Sequence, residues 1–293
     1  MIERDRPSAL RLLFVWRGSI VPHILPQIIG FALYAAVIVA AADALGPDRL
    51  QMGVAPFALV GITLSIYLSF RNSAAYDRWW EARRLWGQLV AESRNLPRAT
   101  EALLPDPALR RRFLLCFLSF CHLLRGSLRG IDVRSEAAAF CGPASTSTQA
   151  LRQMGSDLAK ARRSNLLDSI GHRILEERLT ILTLIETGCE RIASTPLPFA
   201  YTLLLHRTAY LVCLLLPFGL VAIAGWATPL LTALIAYTFF GLDRLSEELE
   251  DPFGTEANDL ALDSLCRMCE ISVLEALGDP APAPLAARSY YLS

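Results

Sequence analysis

Cys266 and Cys269 form a CxxC pair, the half of a structural zinc site that two thiolates at this spacing supply. A second CxxC or a close His pair would have to complete it. His23, His122, His172 and His206 are isolated from one another in sequence, so the pair reads as helix packing. Four acids crowd one short stretch, Glu247, Glu248, Glu250 and Asp251, and read as a solvated helix end or as partners for an Arg-rich body. No Walker loop, dinucleotide fingerprint, nucleophile elbow or metalloprotease motif is present. Neither an enzyme nor a cofactor is expected.

The remaining chemistry is that of a surface along which something could pass. The stretch ALVGITLSIYLSFRNSAAYDRWWEARRLWGQ, residues 58–88, starts as a membrane helix and ends as a charged one, with neither Gly nor Pro from Ile62 to Trp86. At about 100° per residue, Ile62, Ile66, Ser69, Ser73 and Phe70 share one side, and Ser65, Asn72 and Tyr76 occupy the next. Either the Ile/Phe ridge or the hydroxyl stripe could face an axis. Ile and Phe packed on neighbouring helices, with hydroxyls bonded to backbone, is the third reading. No charge stands between Ala55 and Phe70. A pore here would act by size and wetting, without a charged ring. Trp79, Trp80 and Trp86 follow and favour a membrane interface. Asp77 and Glu81 stand at helical spacing with Arg84 and Arg78, where pairing is expected.

Composition says which elements must carry these residues. The chain is 53% hydrophobic and 19% charged, below the quarter or so of a soluble domain. Its formal net charge is zero, which removes the simple case for a nucleic-acid binder. Seven scattered Cys without scaffold spacing fit a reducing compartment. The opening MIERDRPSALRLLFVWRGS lacks the apolar core of a secretory signal, so the N-terminus is expected to stay attached and cytoplasmic.

Four segments approach the length of about 20 apolar residues that a bilayer needs. They are Ile24–Ala42, Val54–Phe70, Tyr210–Gly225 and Pro229–Leu242, joined as two hairpins through DALGPDRLQMG and GWATP. Arg71, Arg78, Arg83, Arg84, Arg94 and Arg98 crowd the stretch beyond the second span, whereas the two turns carry only Arg49. The positive-inside rule then puts both termini and the middle stretch in the cytoplasm. The run FLLCFLSFCHLL, Phe113–Leu124, is too short to span and reads as a buried helix. A helix fits Arg173–Ala193, ended by TPLP, while EAAAFCGPASTSTQA reads as a loop and GDPAPAPLAARSYYLS as an extended tail.

The expected fold is an all-α integral membrane protein. Residues 1–23 are a cytoplasmic segment, 24–70 the first hairpin, 71–206 a helical cytoplasmic domain, 207–243 the second hairpin, and 244–293 a cytoplasmic helix and tail. Four spans alone enclose little, so a ring with one span per protomer on the axis is expected. A secondary transporter usually shows interrupted spans, and Pro217 and Gly219 are the only hint of one. A membrane scaffold would conduct nothing.

Three long motifs carry a resemblance: FRNSAAYDRWWEARRLWGQ at 70–88, GCERIASTPLPFAYTLLLHR at 188–207 and EELEDPFGTEANDLALD at 247–263. In this order they resemble the bestrophins, most closely the bacterial branch, and the similarity runs nearly end to end from FVWRGS at 14–19. The resemblance implies a homopentameric channel for small monovalent ions in a bacterial inner membrane, with lipid and four further copies as partners and no nucleic acid. It places an apolar neck at Ile62, Ile66 and Phe70. A second, cytoplasmic constriction falls in TILTLIE, first at Leu182, with Ile181 and Ile185 as alternatives. Chloride or another small anion is the implied cargo, and monovalent cations are the alternative. Animal bestrophins bind calcium through acids just after Pro-Phe-Gly. Here only Glu256 and Asp259 are acidic in that stretch, too few for an ion that wants six to eight oxygens. No calcium switch is expected.

Overall fold

The computed structural model describes residues 1, 15–16, 18–46, 52–53 and 55–293. Part of the FVWRGS motif, the Gly/Pro turn with Arg49 and the Val54 start of the second span lie outside the described residues. Among those described no strand forms, and the α-helices run α1 Val21–Leu45, α2 Ala55–Leu103, α3 Pro107–Arg129, α4 Arg134–Cys141, α5 Ser147–Arg163, α6 Ser169–Ser194, α7 Phe199–Ala224, α8 Thr228–Glu250 and α9 Leu262–Leu277. A 3₁₀ turn at Gly225–Ala227 joins α7 to α8.

The chain divides into two compact units. The apolar unit holds α1, the part of α2 up to Trp79, α7 and α8. The second unit holds α2 from Trp80, then α3 to α6, α9 and the tail. Among the described residues, Val21–Leu45 and Phe199–Glu250 are long and apolar enough to cross a membrane. Both lie in the apolar unit. The α1 and α8 helices outrun the spans expected for them at both ends, and α7 begins 11 residues earlier than expected and stops at Ala224.

All four helices of the apolar unit contribute to one core. Ile24 and Phe31 of α1, Leu64 and Leu68 of α2, Leu205 and Val212 of α7, and Phe239 and Phe240 of α8 are buried together. Phe31 and Phe240 stack at 5.6 Å, and Tyr210 meets both edge-on. At Gly219 of α7 a Cβ would come within 2.6 Å of the Phe57 ring, so only glycine admits α2 this closely.

In the second unit α3 is the central element. Pro107 opens it, the Asp106 side chain accepts the Ala108 N–H at 2.9 Å, and Gly130 at φ 63° ends it in the left-handed region. Residues from Phe113 to Gly126 are almost all buried, as expected of FLLCFLSFCHLL in a soluble-type core. The α6 helix begins where Asp168 accepts the Gly171 N–H at 2.7 Å and ends before TPLP, close to the expected bounds.

Three expectations are corrected here. The segment EAAAFCGPASTSTQA is not one loop, since residues 136–141 belong to α4 and 147–150 open α5. Gly142, at φ 86°, stops the first helix, and the Thr146 hydroxyl accepts the Gln149 N–H to start the second. Trp86 is fully buried in the second unit and does not belong to an interface cluster with Trp79 and Trp80. Cys116 and Cys141 are joined as a disulfide, where free thiols were expected; the other five cysteines are free and buried.

Candidate functional site

The α2 helix meets its own protomer along one stripe within the apolar unit. Leu64, Leu68, Arg71 and Ala75 are buried there. Ile62 and Ile66 lie about 150–170° round the helix from the centre of that stripe, and Phe70 about 130°. They are 60%, 51% and 64% exposed. A lumen, lipid or a second copy would have to cover such a face. The hydroxyl stripe is differently placed: the Ser65 hydroxyl donates to Gly61 carbonyl at 2.8 Å and the Asn72 amide to Leu68 carbonyl at 2.9 Å. Ser65 and Asn72 thus each give a donor to backbone.

One residue beyond Phe70, an ionic layer joins three helices of this unit. The Arg71 guanidinium is 1% exposed, pairs with Asp243 of α8 and lies 3.6 Å from Glu250. His206 of α7 places Nδ1 3.1 Å from the other Asp243 oxygen. The second Glu250 oxygen accepts the Leu197 N–H at 2.9 Å, and Arg78 donates to the Glu250 carbonyl at 3.2 Å. Glu248 is buried beside Arg244, at 3.6 Å. Glu250 thus meets Arg71 of the Arg-rich stretch, whereas Glu247 and Glu248 lie beside Arg244 of α8 itself. Sequence reasoning missed the Arg71–Asp243 pair. Its signal was that each is the first charge after an apolar run.

The cytoplasmic constriction positions fall on α6, in the second unit, and here the first choice is corrected. Leu182 is 0% exposed and Ile185 1%, so both are core residues of their own protomer and have no surface to offer a passage. Ile181 is half-buried and is the one of the three with an outward surface; Leu184, not singled out in the sequence, is more exposed still. On the same helix Thr180, Thr183 and Thr187 return their hydroxyls to the preceding turn. Glu81 pairs with Arg191 of α6.

Two places invite a metal. His122 Nδ1 stands 3.1 Å from Glu136 and Nε2 2.7 Å from Glu270, the three offering donors within 4.8 Å of one another. The carboxylates face opposite edges of the ring, an arrangement that a single metal ion does not satisfy. Each keeps its other oxygen on an arginine, Arg125 at 2.6 Å and Arg267 at 2.9 Å. Burial pushes the Glu270 carboxyl up, but His122, Arg267 and Arg125 outweigh it and hold the group below its ordinary range. The CxxC thiols are buried in α9, with Cys266 Sγ 3.6 Å from the Cys121 carbonyl; burial pushes the Cys266 thiol well up. This is the packing arrangement.

The second place is the loop after Pro-Phe-Gly. Asp259 accepts the Glu256 N–H at 2.6 Å, and the Tyr291 hydroxyl meets the Thr255 and Glu256 carbonyls, the latter at 2.8 Å. Arg129 donates to the Phe253 and Leu260 carbonyls, each at 3.3 Å, and to Asp263 at 2.7 Å. A tyrosine and a guanidinium already occupy oxygens that calcium would need. Ion flux through the reconstituted protein is therefore expected to be the same in calcium and in chelator, and a clear loss on chelation would refute this reading of Glu256 and Asp259.

An all-helical chain with membrane-length apolar stretches, and a long helix presenting an uncharged exposed face, defines a class of helical membrane protein. The chain belongs to the bacterial and fungal bestrophin family: the family model described as Bacterial/Fungal Bestrophin protein matches residues 1–275. It is 62% identical to a Mesorhizobium japonicum protein named voltage-dependent anion channel-forming protein mll4386, over 100% of this chain and 97% of that one. It is 41% identical to the Escherichia coli K12 protein named voltage-dependent anion channel-forming protein YneE, over the whole of both. A crystal structure of a bacterial bestrophin homolog from Klebsiella pneumoniae superposes with a TM-score of 0.84 at 36% identity, covering 88% of this chain and 99% of that one.

Proposed function

We propose that the protein is a bestrophin-type channel for small monovalent anions. It works as a homopentamer in a bacterial plasma membrane, with both termini and the second unit in the cytoplasm. The transmembrane spans are α1, the start of α2, α7 and α8. Exposed Leu33, Val37, Ile223, Leu230 and Leu234 meet lipid. Five copies of α2 surround the axis, and Ile62, Ile66 and Phe70 form stacked apolar rings, the neck. A second constriction forms at Ile181. Ions pass when the rings are wet and stop when they dry, because a narrow apolar passage expels water before it closes sterically.

The observation that carries this reading is the exposed, uncharged Ile62–Ile66–Phe70 face, opposite the stripe that α2 buries in its own protomer. The names of the relatives over their whole length support an anion as cargo. The neck carries no charge of its own, and Arg71 below it is neutralised by Asp243 and Glu250. Nothing in the reading calls for catalysis.

Current through the purified protein in a planar bilayer, under a KCl gradient, tests it. Reversal towards the chloride equilibrium potential is expected. Reversal towards that of potassium would replace the anion by a monovalent cation, and a protein that inserts and passes no current would remove the channel reading altogether.

A further inference from the structure

Cys116 lies in the buried run of α3, and Cys141 is the last residue of α4. Their Cα atoms are 4.7 Å apart, within the span that a disulfide bridges, and the sulfurs are bonded. The two ends of the bond differ. Cys116 is fully buried, whereas Cys141 is half-buried and borders a cavity of about 340 Å³. Gln149, Arg152 and Gln153 of α5 complete that cavity's polar side, with Pro143 and Ala144.

We propose that Cys116–Cys141 is a reversible thiol–disulfide site, opened at Cys141 by a small anionic thiol seated in this cavity. Arg152 supplies the positive charge that a carboxylate-bearing thiol needs beside the sulfur that it attacks. The thiolate adds to Cys141 Sγ, the disulfide breaks, and the electron pair leaves on Cys116 Sγ, which takes a proton. A second thiolate then attacks the outer sulfur of the mixed disulfide, releasing the external disulfide and the Cys141 thiol. Two external thiols are oxidised, and one protein disulfide is reduced to two thiols. An excess of external disulfide drives the same steps backwards. Disulfides in reducing compartments are characteristically of this transient kind.

The remaining cysteines do not compete. All five are buried. Burial pushes the Cys121 thiol well up and the Cys189 thiol to about 12, so both hold their protons and are poor nucleophiles. The bond has a structural consequence. The α4 helix has 8 residues, too few to persist unaided. It is held by the disulfide at its end, by Phe140 stacked on His122, by the buried Ala137, and by Glu136 on Arg125 and His122 near its start. Opening the bond removes one of these fastenings.

The test reads sulfur chemistry, not current, so its failure is distinct from a failure of the channel reading. Full-length protein in detergent is equilibrated with glutathione and glutathione disulfide at varied ratio, quenched in acid and alkylated, and the peptides carrying the two cysteines are weighed. The pair should pass from disulfide to doubly alkylated as the ratio rises, with glutathione trapped on Cys141. Arg152→Glu should slow exchange with glutathione several-fold more than exchange with 2-mercaptoethanol, whose thiolate carries no carboxylate. The proposal is overturned by a pair that alkylates at every ratio, by a bond that survives excess glutathione in the folded protein, by glutathione trapped on Cys116, or by equal slowing with both thiols.

Discussion

Replacing Arg71 by Met is expected to destabilise the apolar unit by about 3–5 kcal/mol, the range for removing one partner of a buried ion pair. The guanidinium is 1% exposed, and Asp243, its partner, is 5% exposed. Without Arg71 the Asp243 carboxylate keeps only His206, whose side chain is about half exposed, and Glu250 loses its nearest buried cation. A buried carboxylate, Asp243, would then have to be tolerated or neutralised beside the partly exposed Glu250. The pair itself is not a large net gain over apolar replacements, because Arg71 Nε and Nη2 find no hydrogen-bond acceptor. A double variant, Arg71→Met with Asp243→Leu, should therefore recover most of the loss. Thermal unfolding in detergent measures both. If Arg71→Met melts with the parent protein, or if the double variant is no better than the single one, the ionic layer does not hold α2, α7 and α8 together in this way.

How much of this could be read from the sequence depends on how local each feature is. Apolar run length alone placed the cores of α1, α7 and α8, and length also told FLLCFLSFCHLL from a span. The stop of α6 followed from TPLP. What escaped was set by partners distant in the chain. Arg71 and Asp243 are 172 positions apart, and no spacing rule joins them. The EAAAFCGPASTSTQA segment was misread because its Gly-Pro step and run of small polar residues look like one loop, while the turn itself is confined to Gly142–Thr146 between two helices. In TILTLIE an apolar residue points to almost every side of the helix, so periodicity could not separate the buried Leu182 from the half-buried Ile181. On α2 the pattern offered two polar-versus-apolar faces. The burial of Leu64, Leu68, Arg71 and Ala75 shows which side the protomer itself uses.

That distinction makes Ile66→Ala the decisive change for the neck. Ile66 is 51% exposed in its own chain, so truncating it should leave protomer stability within about 0.5 kcal/mol. Leu68, two residues on and 1% exposed, is the control: Leu68→Ala leaves a cavity in the core of the apolar unit and should cost about 2–5 kcal/mol. The functional effects should run the other way. With Ile66 on the axis, every copy of the substitution widens the same ring and removes apolar surface from the passage. Water then enters more readily, and the barrier to a hydrated ion falls. Chloride flux from liposomes should rise clearly for Ile66→Ala while the oligomer keeps its size. If Ile66 instead packs between copies, the substitution opens a void at that contact, and dissociation should increase without a gain in flux. If it faces lipid, neither should change. A rise in flux with an intact assembly is the outcome that only a pore-facing Ile66 gives, and either of the others would take the neck away from this face of α2.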